Sequence, residues 1–179
     1  MKKILIFILG VFLLTGCDNL MNTPTKRVEN LLSKYQQQDR EVLTQLDDTL
    51  LEEALLSVEQ KERYRELMMR QYKNLAYTVK DETIDGKTAV VEVEIEVYDY
   101  NKAILAAENH LIDNAIEFQD DVGGINTSRY NDYKMDQMES MRDKITYTIN
   151  FTLSKVNDKW LVDDLTETER MKIHGLYAY

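Results

Sequence analysis

The sequence of 179 residues predicts a single α+β domain, in which N-terminal helices pack on a curved antiparallel sheet of about four strands. Two changes in the spacing of apolar side chains support this fold class. Apolar residues recur every three to four positions over 24–75, but alternate with polar residues from 76 onward and again over 145–153. A helical excursion is expected between the two hairpins that these alternating segments form.

Three helices are expected before the first strand, because each has a typical N-terminal cap. Thr23 stands before the only proline, and the apolar spacing extends this helix to about residue 38. Asp39 can cap a second helix. Ser57 and Gln60 form a capping box that opens a third helix, so the helices form one layer of the domain.

The first hairpin turns at Asp85-Gly86, a pair that is typical of a tight turn between two strands. The strand that follows should have one buried and one solvated face, because its apolar residues alternate with glutamates: Val91, Val93, Ile95 and Val97 against Glu92, Glu94 and Glu96. Glutamates on one strand face stand roughly 7 Å apart, too far to share a cation. A solvated face is therefore favoured over a metal site.

The second hairpin follows a helix over 101–118 and a polar loop over 119–127. Alternating residues from Ile145 to Leu153 predict a long strand, which turns at Asn157-Asp158 into a last strand with Trp160 in the core. A capping box at Thr166 and a glycine at 175 then bound a short C-terminal helix.

The N-terminal segment carries the strongest functional signal. Two lysines precede an apolar run over 4–14, which is too short to span a bilayer but fits the apolar region of a secretory signal. The run ends in Leu14-Thr15-Gly16-Cys17. This pattern resembles the lipobox of bacterial lipoproteins, which implies that Cys17 is diacylglyceryl-modified after residues 1–16 are removed. An ordinary secretory signal or a retained signal anchor is the alternative.

The lipobox resemblance implies three segments: a signal peptide (1–16), a short lipid-anchored tether (17–22) and a single domain (23–179). Loss of Lys2 and Lys3 lowers the basic count from 22 to 20 against 32 acidic residues, a net charge of −12. This charge excludes nucleic acid as a natural partner and repels anionic headgroups. We expect the lipid on Cys17, rather than the protein surface, to hold the domain at the extracytoplasmic face of the cell membrane.

The order of elements resembles the NTF2-like or cystatin-like superfamily. The resemblance rests on Thr23-Pro24-Thr25, on the strand over 90–98 and on the closing segment over 158–162. The ending over 172–177 resembles a group of lipoproteins from low-GC Gram-positive bacteria. The superfamily hosts isomerases, dehydratases and non-catalytic binding modules, so its fold does not fix a function.

Few residues suggest catalysis. The two histidines, His110 and His174, lie in no recognisable motif. His110 is interpreted as a boundary residue of a buried stripe. His174 falls in the last turn of a helix, where its imidazolium or N–H can meet free carbonyls. Enzymes of the resembled superfamily use an Asp with a Tyr or His in the concavity of the sheet. Asp99, with Tyr98 and Tyr100, could form such a site, but nothing in the sequence places a second acid or an oxyanion donor beside them, and Asp99 could equally end a strand.

The most unusual spacing is that of Met135, Met138 and Met141, which share one helix face with Tyr130 and Tyr133. This candidate interaction stripe has three interpretations. The residues can form part of the core, a partner-facing surface rich in adaptable thioethers, or a Cu(I) site with soft sulfur ligands. Burial explains the pattern without a metal.

The sequence therefore predicts a non-catalytic binding or accessory interaction module at the cell envelope, without cofactor or metal. Its partner is an envelope protein or a small ligand. The alternatives are a ligand-binding or catalytic pocket in the sheet, and a Met-based copper-handling lipoprotein. A pocket that holds Asp99 or His110 would favour an enzyme.

Overall fold

A computed structural model describes residues 22–178, in which six α-helices, one 3-10 helix and four strands form an α+β domain. Cys17 and the rest of the lipobox lie outside these residues. No helix within 22–178 is long and apolar enough to cross a membrane. The elements in chain order are α1 Pro24–Gln36, α2 Arg40–Glu52, α3 Val58–Asn74, β1 Ala76–Asp85, β2 Thr88–Tyr98, α4 Tyr100–Asp113, the 3-10 helix Ala115–Phe118, α5 Thr127–Ser140, β3 Lys144–Val156, β4 Lys159–Val162 and α6 Glu167–His174.

The four strands form one antiparallel sheet in the order β1-β2-β3-β4. Both predicted hairpins are confirmed. Gly86 adopts a positive φ of 59° in the first turn, and Asn157 and Asp158 adopt φ values of 49° and 61° in the second. Positive φ at turn residues matches the right-handed twist of the flanking strands. Trp160 lies on β4 and is only 6% exposed, as predicted.

One face of the sheet is buried under α1, α3 and α6, and the other faces solvent. The predicted apolar row on β2 is fully buried opposite aromatic and aliphatic residues of β3, with Val91 opposite Phe151 and Val93 opposite Ile149. On the solvated face, Glu96 pairs with Lys144 at 2.8 Å. The glutamate row therefore lies on the solvent-facing side of the sheet, where Glu94 and Glu96 pair with lysines.

The start of the domain is fixed to the second hairpin. α1 has its most extensive strand contact with β4. The Asn22 side chain accepts a hydrogen bond from the backbone N–H of Trp160 at 3.0 Å and donates one to the carbonyl of Asp158 at 2.7 Å. These contacts join the first described residue to the last strand.

The predicted helix over 101–118 is confirmed as far as residue 113 and is wrong over its last five residues. α4 ends at Asp113, and a separate 3-10 helix follows. Asn114 adopts a φ of −130°, and both its backbone N–H and its side-chain amide donate to the carbonyl of His110. The backbone bond is the last helical bond of α4, whereas the side-chain bond to the same carbonyl and the φ of −130° end the helix at Asn114. Ala115, expected in the buried stripe, is consequently exposed, while Phe118 is buried.

A buried glutamine connects the two layers. The Gln71 amide accepts a hydrogen bond from the Tyr98 N–H and donates to the Tyr98 carbonyl, both at 2.9 Å. It also donates to the carbonyl of His174 at 2.8 Å. Gln71 thus joins α3 to the end of β2 and to the end of α6. Sequence spacing placed Gln71 in the apolar stripe of α3, and this polar role was missed.

Candidate functional site

A cavity of about 360 Å³ lies between the helices. Small-molecule sites typically occupy about 300–1,000 Å³, so this volume suits a modest ligand. All six helices contribute to its wall, and none of the described strands does. The cavity is therefore not in the sheet, where the resembled superfamily would place it. Its interior is largely apolar, with a wall that includes Val42, Leu46, Leu50, Leu56, Tyr64, Ile104, Met135, Met138 and Leu176.

Helix α2 forms one wall of the cavity. Its inward residues Val42, Leu46 and Leu50 are each 6% exposed. α3 is the main packing partner of α2, and an ion pair between Arg65 and Asp47 at 2.6 Å joins the two helices at the surface. The apolar face of α2 thus belongs to the hydrophobic core and also forms a wall of the cavity.

The five residues of the candidate interaction stripe lie in three environments. Met135 and Met138 are each 1% exposed and line the cavity. Tyr133 stacks on the ring of His110 at a centroid distance of 4.7 Å, and Tyr130 packs edge-on against Phe118. Met141 follows the end of α5 and is half-buried.

The cavity wall contains a hydrogen-bonded pair, Tyr72 and His174. The Tyr72 hydroxyl lies 3.0 Å from Nε2 of His174. Burial, aided by the nearby charge of Arg170, lowers the pKa of His174 to about 4, and burial raises the pKa of Tyr72. Both side chains are neutral at pH 7. The expected imidazolium cap is therefore wrong, because the ring faces Tyr72 and the cavity, and Gly175 ends the helix.

The mouth of the cavity is polar. The exposed residues Gln45, Thr49 and Glu53 line it from the end and outer side of α2, and two cations line it from other helices. Lys134 projects from α5 and Arg170 from α6. These five residues form what we call the rim.

The other candidate residues do not line the cavity. Asp99 caps α4 by accepting a hydrogen bond from the N–H of Lys102 at 3.0 Å. Tyr100 is fully buried and donates to the carbonyl of Leu67, and burial raises its pKa to about 12. His110 lies 3.0 Å from Glu117 through Nε2. The arrangement that would favour an enzyme, a pocket holding Asp99 or His110, is therefore not observed.

No group of His, Cys, Asp and Glu side chains within residues 22–178 is placed to hold a metal ion. No family model matches the chain, and no curated protein or solved structure matches it. Function is therefore inferred from the residues themselves.

Proposed function

We propose that this chain is a lipid-anchored protein of the extracytoplasmic membrane face, and that its domain binds an apolar small molecule between the helices. The single observation that supports ligand binding is the apolar cavity behind α2. The cavity opens to solvent at a polar mouth but is lined mainly by apolar side chains, so water inside it finds few hydrogen-bond partners. A ligand with an apolar surface would displace that water and gain roughly 25 cal/mol for each Å² of apolar surface removed from solvent.

Binding is favoured over catalysis by the polar groups of the cavity. Tyr72 and His174 satisfy each other, and the Thr49 hydroxyl donates to the carbonyl of Gln45 within its own helix. A nucleophile needs an adjacent base, and among residues 22–178 the hydrogen bond of the His174 ring is to Tyr72. The NTF2-like or cystatin-like resemblance stays a proposal, and the α+β architecture is compatible with it.

The binding function is tested by filling the cavity. We would label the methionine methyl groups of the full chain in lipid nanodiscs with 13C and titrate decanol, a neutral ten-carbon probe. The Met135 and Met138 signals, assigned by substitution with leucine, should shift and saturate. Leu46→Trp should abolish the shift, because Leu46 lines the cavity. Leu51→Trp is the matched control, because Leu51 lies on the same helix and is 76% exposed.

Both variants must retain the wild-type unfolding curve for the comparison to hold. Loss of the decanol shift in Leu46→Trp alone supports the proposal. Absence of a saturable methionine shift in the wild-type protein, with decanol or with charged decyl compounds, would refute it.

The anchor is tested separately at Cys17. Replacement of Cys17 by alanine should leave an unlipidated precursor that is not processed, because lipoprotein peptidases recognise the modified cysteine. The intact mass of the membrane fraction measures this directly. An unmodified mature N-terminus at another residue would overturn the proposed localisation mechanism.

A further inference from the structure

Two cations on the rim lack carboxylate partners. Elsewhere on the domain, Arg63 and Arg65 form ion pairs with carboxylates at 2.6–2.8 Å. Among residues 22–178, no carboxylate lies within 4.0 Å of Arg170 or Lys134. A chain with 32 acidic and 22 basic residues has ample carboxylates to pair with them. The Arg170 guanidinium donates to the carbonyl of Leu165, and the Lys134 ammonium lies over the ring of Tyr130 at 5.6 Å. Neither partner is an anion, so two positive charges at the mouth of an apolar cavity in an acidic protein point to an anion supplied by the ligand.

The charged residues on the rim are Arg170, Lys134 and Glu53. Arg170 lies one helical turn before His174 on α6. Burial raises the pKa of Tyr35, and the positive charge of Arg170 partly offsets that rise. Burial, aided by the negative charge of Glu53, raises the pKa of Tyr64 to about 12. Glu53 is the only carboxylate residue that lines the cavity within the described part of the chain. The rim therefore carries a net positive charge, which Arg170 and Lys134 supply.

We infer that the ligand is a single-chain amphiphile with an anionic head, with its chain between α2 and α5 and its head at Arg170 and Lys134. This inference rests on the proposed binding function. A guanidinium offers parallel N–H donors that match a carboxylate or phosphate, and Lys134 adds a second positive charge. The apolar interior excludes the head, so it must lie at the rim where water and the cations solvate it.

The test compares three ten-carbon probes that differ in the head: decanoate, decanol and decyltrimethylammonium. Each is titrated at matched free concentration into the full chain in nanodiscs, with the Met135 and Met138 methyl signals as the readout. Decanoate should bind about tenfold more tightly than decanol, and decyltrimethylammonium should bind most weakly. Added salt should weaken decanoate binding without changing decanol binding.

Substitutions then locate the head. Arg170→Gln should weaken decanoate binding about tenfold and leave decanol binding unchanged, and Lys134→Gln should have a smaller effect in the same direction. Lys73→Gln is the matched control, because Lys73 is exposed on α3, forms no ion pair with the described residues and lies outside the cavity wall. It should change neither affinity.

Saturable binding of decanol as tight as that of decanoate would overturn the anionic head while the binding function stands. Failure of all three probes to shift the methionine signals would instead overturn the binding function. If Arg170→Gln does not fold, the probe series and Lys134→Gln decide the question. An unchanged decanoate preference in folded Arg170→Gln would remove Arg170 from the site.

Discussion

Gly175 lies against the backbone of Tyr98 so closely that a Cβ at position 175 would stand 2.1 Å from the Tyr98 carbonyl oxygen. Gly175 also adopts a positive φ of 70°, and its carbonyl accepts a hydrogen bond from Asn101. The end of α6 is therefore fitted to the end of β2 with no room for a side chain.

Gly175→Ala should destabilise the protein by at least about 3 kcal/mol, because the left-handed conformation costs roughly 1–3 kcal/mol and a backbone clash adds to it. Urea unfolding measures the loss. Gly86→Ala is the control, since Gly86 has a φ of 59° but nothing within 4 Å of an added Cβ. It should cost only the conformational strain, and equal losses in the two variants would contradict the close approach to Tyr98.

Met138→Ala should lower the free energy of unfolding by about 2–5 kcal/mol, because Met138 is 1% exposed. Chemical denaturation measures the change. Met138→Leu keeps the volume and should cost less than about 1.5 kcal/mol. A change below about 0.5 kcal/mol for Met138→Ala would indicate a surface residue instead.

Cu(I) should not raise the melting temperature of the protein by binding the methionine sulfurs. Met135 and Met138 lie in the cavity wall, whereas Met141 follows the end of α5, and packing accounts for all three. A melting curve with Cu(I) under reducing conditions should match the curve without it. A rise in melting temperature that disappears when the three methionines become leucine would establish a copper site.

Trp160→Ala should destabilise the domain by about 3–5 kcal/mol, because the indole is buried where β4 meets α1. Leu161→Ala is the control on the adjacent residue, which is 50% exposed, and should change stability by about 0.5 kcal/mol or less. Chemical denaturation followed by circular dichroism avoids dependence on the tryptophan signal. Similar losses for both variants would contradict the burial of the indole.

Stability should depend on pH through His174. Burial lowers its pKa in the folded protein to about 4 from the ordinary value of 6.5, so the unfolded chain takes up the proton first as the pH falls. Stability from this residue is therefore complete above pH 6.5 and is lost towards pH 4, by about 3 kcal/mol at most. The neighbouring cation Arg170 acts in the same direction.

The measurement is a comparison of urea unfolding at pH 7 and pH 4 for the wild-type protein and His174→Gln. The carboxylates titrate in the same way in the wild-type protein and in His174→Gln. The difference in stability between the two proteins therefore isolates the effect of the imidazole. That difference should change with pH by up to about 3 kcal/mol. Parallel pH profiles would show that His174 is not buried in a neutral state.

The secondary structure was predictable where local chemistry determines it. Ser57 and Thr166 form the expected capping boxes, and the alternating residues of β2 face the core as their spacing predicts. The α4 boundary was not predictable from apolar spacing, because it depends on the non-helical backbone of Asn114 and on the bond from its side-chain amide to the His110 carbonyl. Such a break leaves little trace in the pattern of apolar residues.

The cavity could not be predicted for a different reason. Periodicity shows that α2 and α5 each have an apolar face, but it does not show whether the two faces meet or enclose a space. His174 illustrates the same limit, because its position in the last turn suggested a cap while its burial depends on Tyr72 of α3. The feature of the sequence that did point to this region was the spacing of Met135 and Met138, which both line the cavity.

The hydrogen bonds that join Asn22 to Asp158 and Trp160 also constrain the order of folding. They join residues 136 and 138 positions apart, and the apolar face of α1 packs on β4. Non-local contacts of this kind form slowly, and a chain made from its N-terminus has no β4 until nearly all of it is synthesised. The packing of the first helix on the last strand can therefore be completed only after nearly all of the chain has been made.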